Sequence, residues 1–216
     1  MQGTLPRPPL LRLCLSALLL AWLAGCAVAP VQQAPAGQAG QAVQLEQQGK
    51  FAAAAQVYEQ LAAGAQGQQR ATWLVSAAED WWQARDNQKA WALLAQIKPA
   101  NLYPALNARI ELLKAGMDLA AKHPETALQH LGFALEPLPD ALKARTLLLR
   151  AQVHAALDDT VSAVADLSAR ETFLQNDPQA ISKNHQLIWL MLSQARTPPD
   201  LSRLPAGLST AARGWL

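Results

Sequence analysis

The chain has 216 residues, of which 51% are hydrophobic and only 16% charged, with Lys+Arg 18 against Asp+Glu 16. So even a balance, with no basic arm, argues against nucleic acid and against electrostatic binding to a membrane surface. Two cysteines in such a length rule out a disulfide framework, so packing has to hold the fold.

The start, "MQGTLPRPPLLRLCLSALLLAWLAGC", has the order of a secretory signal. Arg7 and Arg12 form a positive segment, Leu13 to Ala24 is unbroken apolar, and small residues precede Cys26. The apolar run is shorter than the roughly 20 residues a membrane span needs. "LAGC" resembles the bacterial lipobox, in which the cysteine is acylated and the chain is cut before it. The expectation is a signal peptide over 1–25 and lipidation at Cys26. At roughly 0.8 kcal/mol per buried CH₂, two or three acyl chains anchor a protein durably where one does not. Ala27 stands where lipoproteins kept at the inner membrane often carry Asp, and by that resemblance the destination is the outer membrane, periplasmic side. Loss of Arg7 and Arg12 leaves 16 basic against 16 acidic residues, and loss of Cys14 leaves Cys26 alone.

Residues 26–40, with "AVAPVQQAPAGQAGQ", are uncharged and aperiodic and read as a flexible tether of roughly 20 Å root-mean-square span. From residue 41 the chain becomes rich in Ala and Leu, without period-two runs, and reads as all-α to residue 196. Four stretches share a pattern: "GKFAAAAQVYEQLA", "RDNQKAWALLAQIKP", "KHPETALQHLGFALEPLP" and "LDDTVSAVADLSARETFL". Each opens with a turn-like or polar element and places a small Ala four residues before a large apolar residue: Ala54 with Tyr58, Ala90 with Leu94, Ala127 with Leu131, Ala163 with Leu167. The alanines recur at 36, 37 and 36 residues, against about 34 for a tetratricopeptide unit. Helical segments precede the last three motifs, and there Ala78, Ala115 and Ala151 fall twelve residues before the motif alanine. Small residues at that register let two helices approach closely. The spacing predicts a right-handed solenoid of about four degenerate tetratricopeptide-like hairpins.

Asp177 before Pro178 suits a helix start, and Ile181, Leu187, Ile188, Leu190, Met191 and Leu192 follow as a strongly apolar helix that closes the last unit. Residues 197–216 begin with a Pro-rich stretch too broken for a helix and end in "TAARGWL", where an exposed hydrophobic edge is expected.

No catalytic constellation stands out. His123 and His130, seven residues apart, could share a face, but no carboxylate or thiol joins them as a ligand set, and His154 and His185 read as helix-surface or groove residues. Glu79 and Asp80 are adjacent and point to different faces, so they form no acid/base pair. Phosphate-loop and nucleophile-elbow motifs are absent. Trp73, Trp81, Trp82 and Trp91 read as core packing of the second unit, with a partner-binding patch as the second possibility. The reading is a monomeric binding protein with no enzyme activity, cofactor or metal.

The order of motifs carries a family likeness. A lipobox, degenerate repeats, "QIKPANLYPALNARIELLKAG" (Gln96 to Gly116), "NHQLIWLML" (Asn184 to Leu192) and "GWL" (Gly214 to Leu216) together resemble the N-terminal half of the LpoA family, outer-membrane lipoprotein activators of penicillin-binding proteins. In that family a Lys/Thr-Pro-Ala-Asx-Leu turn joins two repeats, an Asn and a Trp lie in the closing helix, and Gly-Trp-Leu opens a connection to a second domain. The resemblance implies a regulator of peptidoglycan synthesis whose partner is a bifunctional class A penicillin-binding protein. The family docks on the synthase through a C-terminal domain resembling periplasmic binding proteins, which is missing here, so residues 197–216 are expected to start that connection. The alternative is a tetratricopeptide scaffold lipoprotein of an outer-membrane assembly or pilus/secretion machine, gripping a partner peptide in its groove.

Overall fold

The computed structural model describes residues 35–98, 102–174, 177–195 and 208–216. The signal segment, Cys26, residues 27–34 of the expected tether and the Pro-rich stretch 196–207 lie outside the described residues. The chain divides into two compact units, Met1–Gly37 and Gln38–Leu216. Only residues 35–37 of the first unit are described, so the architecture is that of the second.

The protein is all-α, with no strand among the described residues. The helices are α1 (Pro35–Gln47), α2 (Phe51–Ala63), α3 (Gly67–Gln83), α4 (Asn87–Leu94), α5 (Pro104–Ala120), α6 (Pro124–His130), α7 (Asp140–Ala156), α8 (Thr160–Glu171), α9 (Pro178–Gln194) and α10 (Thr210–Trp215). Many of their ends are chemically marked. Asp86, Asp159 and Asp177 accept first-turn N–H bonds from Lys89, Ser162 and Gln179, and Pro104, Pro124 and Pro178 open helices where a missing N–H is no loss.

One turn recurs four times. Gly49, Arg85, Lys122 and Asp158 stand in the left-handed region at φ 71°, 67°, 65° and 59°. At each, the following N–H reaches back to a carbonyl five residues earlier: Lys50 to Leu45 at 2.8 Å, Asp86 to Trp81 at 2.8 Å, His123 to Asp118 at 2.9 Å and Asp159 to His154 at 2.9 Å. This is the six-to-one bond that ends a helix on a left-handed residue and reverses the chain. The turns lie 36, 37 and 36 residues apart, the period of the motif alanines. They join α1 to α2, α3 to α4, α5 to α6, and α7 to α8.

The turns correct the expected boundary at residue 41. Helix α1 begins at Pro35 inside the stretch read as tether, and it is the first helix of the first turn-linked pair. Ala42, twelve residues before Ala54, is wholly buried. Alanine and glutamine favour helix strongly enough to carry Gly37 and Gly40 once one face is packed. All eight alanines in register, Ala42, Ala54, Ala78, Ala90, Ala115, Ala127, Ala151 and Ala163, have 0% exposure. Their large companions Tyr58, Leu94, Leu131 and Leu167 are buried too.

The core is a chain of clusters and not one centre. The first gathers α1 through α5 around Tyr58, Leu74, Val75, Trp81 and Leu113. The second joins α5, α6 and α7 through Leu112, Leu131 and Val153, and the third joins α7 to α10 through Leu167, Ile188 and Ala212. Helix α3 packs on α5, and α5 on α7. Tryptophans 73, 81 and 82 belong to the first cluster: Trp73 stacks on Tyr58 with ring centroids 5.7 Å apart, Trp81 donates to Glu59 at 2.5 Å, and Trp82 lies against Gly116. Trp91 differs and is exposed. Residues 210–215, expected to begin an outgoing connection, form α10 and pack back on α8, because Ala212 and the flanking Leu208 and Leu216 have apolar surface to cover.

Left-handed geometry costs a non-glycine residue about 1 kcal/mol and glycine nearly nothing. Lys122→Gly is therefore expected to raise unfolding stability by about 0.5–1 kcal/mol, and Gly49→Ala to lower it by about 1 kcal/mol. Urea unfolding of both variants checks the pair, and a loss on Lys122→Gly refutes it.

Candidate interaction surface

The closing helix α9 is fixed before it is exposed. Asn184 is wholly buried, its Nδ2 donates to the Leu167 carbonyl at 2.7 Å, and its Oδ1 accepts from Arg170 Nη1 at 2.7 Å. Arg170 also donates through Nε to the Ala144 carbonyl at 3.2 Å, so one guanidinium ties α7, α8 and α9. Burial pulls its pKa below the ordinary value for arginine. A buried amide that uses both its donor and its acceptor leaves little freedom of rotation to the helix that carries it.

One turn beyond Asn184, Ile188 is wholly buried, and the next two residues face outward: Trp189 is 64% exposed and Leu190 48%. Trp215 of α10 meets Trp189 edge-on at 5.8 Å, and the ring of His185 tilts over Trp215 at 5.1 Å. His185 Nε2 is held by Glu171 Oε2 at 3.0 Å. The exposed edge expected near "TAARGWL" thus lies mainly on α9, with Trp215 half-buried behind it. Exposed aromatic side chains on a rigid support are the usual anchors of protein interfaces.

Several other titratable groups are engaged within the fold. Glu79 turns to α5 and α7, meeting Arg109 at 2.6 Å and Arg145 at 3.6 Å, whereas Asp80 is buried with Oδ2 unpartnered. Burial raises the Asp80 pKa from 3.8 to about 7, helped by the charges of Glu46 and Glu79. Tyr58, bonded to Glu46, is pushed up by burial as well. Carboxylates that sequence spacing did not place do reach the histidines. Glu111 and Asp118 of α5 flank His130 at 2.6 and 3.3 Å, and Asp159 and Asp166 flank His154 at 3.4 and 3.8 Å. Asp166 is held by Arg150 at 2.6 Å. Among the described residues no group of three or more His, Cys, Asp and Glu is arranged to hold a metal ion. Nor is any described helix long and apolar enough to cross a membrane.

A family model described as "LppC putative lipoprotein" matches residues 48–216. No curated protein and no solved structure matches the chain.

Two outcomes follow from these side chains. Between pH about 4 and 7 the folded state holds a proton on Asp80 that the unfolded chain has released, so this group's stabilisation is lost as pH rises through that window. Asp80→Asn is expected to remove that slope and raise the melting temperature at pH 8 by at least about 2 °C, as scanning calorimetry at several pH values would show. Asn184→Ala strands the Arg170 guanidinium and is expected to cost about 2–3 kcal/mol, read from denaturant midpoints with helical circular dichroism retained.

Proposed function

The chain belongs to the LppC lipoprotein family, and from that membership we propose that it is a lipid-anchored regulator of peptidoglycan synthesis. Acylated at Cys26 and held on the periplasmic side of the outer membrane, it acts by binding and not by catalysis. Its partner is a bifunctional class A penicillin-binding protein, as in the LpoA activators. The four turn-linked pairs are tetratricopeptide-like units of a right-handed solenoid, and the working form is a monomer.

The observation that carries this reading is the exposed pair Trp189 and Leu190, presented by a helix locked through Asn184 and backed by Trp215 of α10. An exposed tryptophan on a helix held by its buried residues Asn184 and Ile188 suits a contact. The lipobox order ahead of Cys26 supports anchoring. The repeated turn and the buried alanines support a repeat scaffold of the kind used for binding.

Crosslinking from cell envelopes, with the acylated protein as bait and mass spectrometry as readout, tests the proposal. The expected outcome is recovery of a class A penicillin-binding protein, reduced at least about tenfold by Trp189→Glu. Recovery of only outer-membrane assembly or secretion components would replace the regulator with a scaffold.

A further inference from the structure

A second surface, unused by that reading, lies where α3 begins. An open cavity of about 550 Å³ is bounded by the first turns of α3, the end of α4 and Leu102. That volume is within the range of pockets for small ligands. Its apolar floor is Ala71, Leu74, Ile97 and Leu102, all drawn from the first core cluster or packed on it.

The polar lining is of one kind. Among the described lining residues, Arg70 and Lys98 are the charged ones, none is a carboxylate, and three are glutamines (Gln66, Gln68 and Gln96). Arg70 is set in place by donating from Nη1 to the Ala62 carbonyl at 3.0 Å, with Nη2 at 3.5 Å from Gln96 Oε1. Those contacts leave other guanidinium donors for a ligand. Gln68 is turned away from capping α3, since its Oε1 accepts the Tyr103 N–H at 3.1 Å, and Gln66 makes no side-chain cap either. The first-turn N–H groups beside the cavity therefore reinforce its positive character.

Two cations without a counter-charge favour carboxylates. Gln96 is committed within the fold, its Oε1 to Arg70 and its Nε2 to the Ala92 carbonyl at 3.3 Å, so Gln66 and the Nε2 of Gln68 are the amide groups placed to meet a peptide backbone, and the aliphatic floor favours methyl-sized side chains. We propose that this cavity binds a short peptide with free carboxylates and small apolar side chains. Resting on the regulator reading above, we identify it as the stem peptide of the cell-wall polymer. The protein would then sense uncrosslinked wall through the α3–α4 end of its repeats while contacting its protein partner through α9.

Isothermal titration of the full chain with L-alanyl-γ-D-glutamyl-meso-diaminopimelyl-D-alanine tests this. Saturable binding with a Kd below about 1 mM is expected. Lys98→Glu, an exposed change that spares the core, should weaken it about tenfold or more, and the peptide with its carboxylates amidated should bind correspondingly less. Amide NMR shifts should appear at Gln68, Gln96 and Ile97. Absence of saturable binding, indifference to Lys98→Glu, or equal binding of inorganic phosphate each overturns the proposal. The regulator reading fails separately: if the peptide binds but envelope crosslinking recovers no synthase, that reading falls and the cavity stands. Retained crosslinking without peptide binding removes only this inference.

Discussion

How closely two helices can lie when alanine is all that separates them is the constraint on which the molecule depends. Eight alanines with no exposed surface occupy the same two positions in four successive helix pairs. A larger side chain at any of them would force the backbones apart, and the left-handed turn five residues before each motif alanine would no longer bring the second helix into register. Close approach in turn leaves the large residues, Tyr58, Leu94, Leu131 and Leu167, to fill the space between neighbouring units.

Polar groups then lock what the alanines bring together. Arg109 joins α5 to Glu79 of α3, Arg150 joins α7 to Asp166 of α8, and Arg170 with Asn184 joins three helices at the far end. Buried charges of this kind are retained where they are paired. Asp80 departs from the rule: burial, helped by the charges of Glu46 and Glu79, keeps a proton on its carboxyl into the neutral range. The amide of Asn184 anchors α9 so firmly that two large apolar residues beyond it can stand in solvent without the helix rolling to hide them. Rigidity there is what makes Trp189 and Leu190 available to a partner.

Much of the architecture was legible in the residue order. Helix class, the 36-residue period and the cap at Asp177 follow from local chemistry, since helix propensity and small-residue spacing act within one or two turns of chain. The seven alanines singled out by spacing are buried without exception. The eighth, Ala42, escaped because Gly37, Gly40 and Pro35 read as linker, and what makes that segment helical is a packed face that no local pattern displays. Left-handed residues were just as hidden. Arg85 and Lys122 have no intrinsic preference for that conformation and Asp158 only tolerates it better than most, so the turn imposes it.

For the sites, the division is sharper. The sequence by itself determined the repeat, the helices, the lipobox-like cysteine and which tryptophans and histidines exist, all of which are written in short-range order. Only the tertiary structure decided that Glu111 and Asp118 flank His130, that Trp215 backs Trp189, that Asp80 is stranded among carboxylates, and that Arg70 and Lys98 line one cavity. Those groups are brought together by packing between helices, and unlike the alanines they follow no spacing along the chain that shows which faces meet.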